Sequence, residues 1–169
     1  HKNDADEFVD AMPLQGKINS KYHDGPAYYD PNSKTIFVTR NNVKNGRPVY
    51  DANGSVNLKI YAATEENGKW NSISELPFNS NEYSTGHPSL NTDGTKMYFV
   101  SNMPGGFGGT DIYVTEKTAD GWGEPFNCGP EVNSEGNEMF PFVSQEGKLY
   151  FSSDGHAGLG GLDIFLCSP

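Results

Sequence analysis

Apolar positions in this chain come in short runs broken by polar clusters rich in Gly, Pro, Asn and Asp, a pattern that predicts strands joined by tight turns. The same order is written three times. A short strand follows a proline (Ala27-Tyr28-Tyr29 after Pro26, Ser89-Leu90 after Pro88, Phe142-Val143 after Pro141) and leads into a reversal of turn-forming residues. Those reversals are Asp30-Pro31-Asn32-Ser33, Asn91-Thr92-Asp93-Gly94 and Ser144-Gln145-Glu146-Gly147. A second strand is predicted over 35–39, 96–101 and 148–152, and a third over 58–63, 111–116 and 163–167. Trp70 and Trp122 open a fourth strand running through Pro77 or Pro125; proline fits an outer edge, where its missing N–H has no ladder to serve.

The repetition is exact in spacing over the later units. Phe99 to Phe151, Gly106 to Gly158, Gly109 to Gly161 and Asp111 to Asp163 each differ by 52, and Tyr98, Gly108, Tyr150 and Gly160 fall on the same grid. Ile60 also precedes Ile112 by 52, but Phe37 precedes Phe99 by 62, so about ten residues are inserted upstream, in a polar stretch over 42–56. Asn45, Arg47, Tyr50 and Asp51 make this long loop a candidate partner contact. Ile18-Asn19-Ser20, Phe78-Asn79-Ser80 and Val132-Asn133-Ser134 mark the unit starts.

A period near 52 built from short strands predicts an all-β fold, a β-propeller of three four-stranded units over about 21–80, 81–134 and 135–167. Residues 1–7 are expected to be a disordered leader, and an outer strand over 8–14 to close the last blade. Rings typically need roughly four to eight blades, so three units imply part of a larger propeller or completion by association.

Composition sharpens this. Aromatic residues make up 12% of the chain and there are 20 Gly and 11 Pro, which suits short strands and turns and argues against a helical bundle. A net charge of −10 repels phosphate, so no nucleic-acid partner is expected. No apolar run approaches the roughly 20 residues of a membrane span, so no direct membrane insertion is expected. His1 in place of Met leads to the expectation of a trimmed chain or fragment, and Cys128 and Cys167 read as two buried thiols.

Candidate chemistry is sparse. The glycine loop Gly105-Gly106-Phe107-Gly108-Gly109 lacks the Lys-Ser/Thr of a phosphate loop; it reads as a compact turn with Phe107 tucked beneath it, stapled by Asp111, with Asp163 doing the same in the last unit. A Ca²⁺ site using Asp154 and Asp163 is an alternative. Glu131, Glu135 and Glu138 could supply a glycosidase pair, though a solvated acidic loop is the plainer reading. His87 and His156 belong to no zinc or hydrolase motif.

The order His-Pro-x-Leu-x-x-Asp-Gly-x-x-x-Tyr-Phe-x-Ser, then Pro-Gly-Gly-x-Gly-Gly-x-Asp-Ile-Tyr, runs from His87 to Tyr113 and resembles the TolB-like propeller repeats of OmpA-family outer-membrane lipoproteins of Bacteroidetes-type bacteria. Asn137-Glu138-Met139-Phe140-Pro141 and 149–156 look like the next repeat, whereas the first unit lacks the glycine loop and has Lys59 where the others have Asp. The resemblance implies a periplasmic, outer-membrane-associated module with links to type IX secretion. With no convergent catalytic set, the chain is expected to be a non-enzymatic scaffold for other cell-envelope proteins or further propeller blades, without catalytic residues, metal or cofactor. The alternatives are a carbohydrate- or peptidoglycan-binding propeller, a glycan-processing enzyme, or a Ca²⁺-stabilised module.

Overall fold

The computed structural model describes residues 11–168, which form fourteen strands and no helix. The chain opens with β1 (Asp24–Asp30) and β2 (Thr35–Asn41), continues through a hairpin of β3 (Val43–Lys44) and β4 (Arg47–Pro48), and completes a first sheet with β5 (Leu58–Glu66) and β6 (Lys69–Glu75). That sheet is antiparallel in the order β1-β2-β5-β6. A second holds β7 (Thr85–Leu90), β8 (Lys96–Ser101) and β9 (Asp111–Thr118), with β10 (Gly121–Trp122) and β11 (Phe126–Asn127) both on the outer edge of β9. Pro125 lies between those two pieces, where a residue without an N–H breaks the outer strand. The third sheet has only β12 (Glu138–Val143), β13 (Leu149–Ser153) and β14 (Asp163–Cys167).

Strand alternation gives each sheet two apolar faces, and the sheets stack in chain order. Phe37 and Ile60 of the first sheet meet Leu90, Met97, Phe99 and Tyr113 of the second, with Leu76 and Phe78 between them. Val100 and Ile112 on the opposite face of the second sheet meet Leu149 and Phe151 of the third, with Val132 as the plug. The back of the first sheet, Val38 and Ala63, is covered by Ile18 and Trp70. Ile18, Phe78 and Val132, the apolar residues before each Asn-Ser pair, are therefore one structural part used three times.

The asparagine after each later plug is the accompanying polar part. The Ile60 N–H donates to Asn79 Oδ1 at 3.1 Å and Asn79 Nδ2 donates back to the Ile60 carbonyl at 2.7 Å. Asn133 holds Ile112 in the same way, at 2.7 and 2.9 Å. A side-chain amide thus caps the edge of the third strand in each of these sheets, sharing the isoleucine carbonyl with the backbone N–H of Leu76 at 3.2 Å or Cys128 at 3.0 Å.

Three readings of the sequence change. The first unit is offset by 61, not 62: Phe37 lies opposite Ala62 as Tyr98 lies opposite Val114 and Tyr150 opposite Leu166. The polar stretch over 42–56 is not an open loop, since Asn45 (φ 52°) and Gly46 (φ 74°) make the tight two-residue turn of the β3–β4 hairpin. The leader over 1–7 and residues 8–10 of the expected outer strand lie outside the described residues, while 11–14 carry no strand and 15–17 pair with Trp70 on the first sheet.

Replacing Asn133 with Ala strips the partner from the buried Ile112 N–H, while the Ile112 carbonyl keeps the Cys128 N–H at 3.0 Å, an expected loss of about 2 kcal/mol in urea unfolding. A loss under about 0.5 kcal/mol would mean that water substitutes for the amide.

Candidate functional site

The antiparallel pairing places the starts of the three inner strands and the three connections between second and third strands at one end of the stack. Asp24 lies opposite Arg40, Thr85 opposite Ser101 and Glu138 opposite Ser153. In the second unit the buried Asp111 carboxylate accepts the N–H groups of Phe107 at 2.6 Å and Gly108 at 3.2 Å and the amide of Asn127 at 2.8 Å. Asp163 takes the N–H groups of Leu159 at 2.6 Å and Gly160 at 3.2 Å. The glycines have specific reasons: a Cβ on Gly106 would strike the Asp111 carboxylate, one on Gly158 the Asp163 carboxylate, and one on Gly108 the backbone of the following unit. Gly109 donates to the Gly136 carbonyl at 2.7 Å, and Gly160 and Gly161 sit at positive φ.

These loops hold their apolar tips outward, not underneath. Phe107 is 49% exposed, and Leu159, at the matching position 52 residues on, is fully exposed. The first unit reaches the same result with different parts. Asp51 accepts the N–H groups of Asn53 at 2.9 Å and Ser55 at 2.8 Å and the Asn57 amide at 3.1 Å, contacts that lower its pKa. Beside it Tyr50 is 62% exposed, and the Gly46 carbonyl next to Asn45 accepts the Tyr22 hydroxyl at 2.9 Å, leaving Arg47 exposed on the hairpin.

Lys59 follows the same logic with reversed charge. It occupies the repeat position of Asp111, is buried, and pairs at 3.0 Å with Glu75, which occupies the repeat position of Asn127. At the opposite end the Asp93-Gly94 turn is closed by the Thr95 N–H donating to Asp93 at 2.9 Å.

Between the inner strands His87 and Phe140 stack at 4.4 Å with planes 7° apart. Both have positive φ, 52° and 54°, and each precedes a proline, Pro88 or Pro141, at a matched bulge. Left-handed backbone at such residues costs about 1–2 kcal/mol each. The His87 N–H donates to Thr39 Oγ1 at 2.9 Å, and the Phe140 N–H donates to His87 Nδ1 at 3.3 Å, so this imidazole is a neutral acceptor. Burial lowers its pKa. Beside the pair opens a cavity of about 410 Å³ lined by Leu58, Thr85, Val100 and Met139.

The acidic candidates do not converge. Glu138 is wholly buried and accepts from Ser134 Oγ and Ser153 Oγ, each at 2.6 Å, while Glu131 and Glu135 are exposed. Asp154 accepts the Asn137 N–H at 2.6 Å, a bond that lowers its pKa, and is engaged apart from Asp163. Among the described residues no group of three or more His, Cys, Asp or Glu is placed to hold a metal. His156 packs on Phe165 at 5.1 Å. The two cysteines are free thiols; burial and the neighbouring Cys167 push Cys128 up to about 12.

No protein-family model matches the sequence, and no curated protein does. Among solved structures, a Mycobacterium tuberculosis puromycin-hydrolyzing peptidase matches with a TM-score of 0.56 and 16% identity, over 91% of this chain and 23% of that one. The likeness is one of fold, and the chain spans under a quarter of that protein. It corrects the expectation that the chain is not an enzyme, because this strand arrangement occurs within a hydrolase.

Acidification tests the His87–Phe140 contact. The unfolded chain protonates His87 near about 6.5 and the folded one lower, so the unfolded form binds more protons in between and stability falls as pH drops through that window. The expected result is a folded-state NMR midpoint for His87 below about 6.5, with the accompanying stability loss absent in His87→Gln; a midpoint at or above 6.5 would refute the buried neutral acceptor.

Proposed function

We propose that the chain is an arc of a β-propeller acting as a protein-interaction module of the bacterial cell envelope, periplasmic and outer-membrane associated, of the kind found in OmpA-family lipoproteins and linked to type IX secretion. The observation that carries the interaction reading is the matched exposure of Tyr50, Phe107 and Leu159 at one end of three stacked units. Phe107 keeps about half of its surface in solvent and Tyr50 and Leu159 most or all of theirs, and the recurrence of such a side chain at the loop end of every unit supports a contact surface there. The staples at Asp51, Asp111 and Asp163 lower the ordering entropy that capture of a partner would otherwise cost.

Support for the propeller comes from the face-to-face stacking of antiparallel sheets in chain order, with the first strand of each sheet innermost. Support for the envelope setting comes from the motif order between His87 and Tyr113. The partners that fit are other envelope proteins, met at the loop end, and further blades, met at the sheet faces.

The test is capture from envelope extract by immobilised chain and by the triple variant Tyr50→Ser, Phe107→Ser, Leu159→Ser, quantified for each recovered protein. At least one protein is expected to fall about tenfold or more, the loss of a small hot-spot cluster. Identical recovery by both forms would overturn the loop-end reading.

A further inference from the structure

The third sheet leaves uncovered the face that the other two bury. Ile60 and Ile112 are 0% exposed, whereas Ile164, the same repeat position, is 80% exposed. Leu166 and Phe142 on that face are also exposed, alongside Tyr150, which is matched to Phe37 in the first joint. What covers this face in the earlier units is known residue by residue. It is a plug followed by an asparagine, then the back of the next sheet: Phe78 and Asn79 in one joint, Val132 and Asn133 in the other.

Among the described residues there is also a plug and asparagine that meet no such sheet. Ile18 is packed on the back of the first sheet, as Phe78 is on the second, but Asn19 is exposed and among the described residues its amide reaches only the Leu14 carbonyl, at 3.1 Å. Among the described residues, one end of the stack therefore has a third strand without an amide staple, and the other has a staple without a strand.

We infer that the occupant of the Ile164 face is a second copy of this chain, joined head to tail, with Ile18 and Asn19 of one copy serving Ile164 of the other. The joint reproduces the two within the chain: Asn19 takes the N–H and C=O of Ile164, Ile18 fills the position of Phe78 and Val132, and Trp70 meets Tyr150 as Trp122 meets Phe37, whose rings lie 5.9 Å apart edge to face. This rests on the reading of the chain as an arc of stacked units. The interface is heterologous, using two different surfaces, so it closes into a ring if the rotation permits and otherwise propagates.

Light scattering on the full chain across a dilution series tests it. Expected is a mass of twice 18.5 kDa, or one that grows stepwise with concentration if the joint propagates. Ile164→Asp should remain at a single-copy mass at every concentration, and Asn19→Ala should raise the midpoint for association about tenfold, the effect of a lost hydrogen-bonded pair. Both positions are exposed, so circular dichroism should show both variants folded. A single-copy mass for the unaltered chain at about 100 µM, far above the range of specific complexes, overturns the inference. So does association abolished by Ile164→Asp but indifferent to Asn19→Ala, which would be two last sheets meeting face to face. Either failure leaves the loop-end reading standing, since that is measured by capture at Tyr50, Phe107 and Leu159.

Discussion

Each sheet of this protein is apolar on both faces and cannot cover either one alone. The fold is the solution to that constraint. Phe37 and Ile60 are buried only because a second sheet lies against them, and Val100 and Ile112 only because a third does. Full burial of one such side chain stabilises the chain by about 2 kcal/mol, so the stacking contacts outweigh any single turn or ion pair. A stack built this way has two ends, and they differ: Ile18 and Trp70 shield one, and nothing among the described residues shields Ile164 at the other.

Apolar contact alone would let the sheets slide, and the polar groups at the joints fix their register. Asn79 and Asn133 each take the N–H of an isoleucine on the third strand and share its carbonyl with the backbone N–H of Leu76 or Cys128. Glu138, wholly buried, is tolerated because the Ser134 and Ser153 hydroxyls donate to its Oε1 and the Ser134 N–H donates to its Oε2. The exchange of Asp111 with Asn127 for Lys59 with Glu75 makes the same point, since the pair of positions is kept while the charge is inverted. What the architecture requires there is a closed hydrogen-bonded pair, not a particular sign of charge.

Much of this was legible in the sequence because repetition cancels local ambiguity. The grid of Phe99, Gly106, Asp111 and their counterparts fixed strand order and the position of the glycine loops. Registration across the inserted hairpin was not legible: Phe37 and Phe99 look alike in a list of letters, and only the pairing of Phe37 with Ala62 shows that its counterpart is Tyr98. The direction of Phe107 and Leu159 was also hidden, since a glycine-rich loop can fold over an apolar residue or thrust it outward. Backbone bonds to Asp111 and Asp163 decide that, and composition does not record them. The Asn-Ser pairs were visible as punctuation, but their amide function needed the geometry of the third strand.

The joints between the sheets are filled unevenly. Near the inner strands the space between sheets is filled by small groups: the added Cβ of Gly86 would strike Thr39, and the Val143 N–H donates to Ser89 Oγ at 3.2 Å. Toward the outer strands the same gap holds Phe78 stacked on Phe99 at 4.5 Å and Trp122 against Phe37. Each joint is thus closed by small groups beside the first strands and filled by rings farther out. The strained backbone of His87 and Phe140 lies on the first-strand side, where two bulged strands approach closely enough for their rings to stack at 4.4 Å. The strain therefore sits where two strands approach most closely, is offset by the apolar burial in the same joints, and places the least relaxed backbone beside the cavity at the loop end.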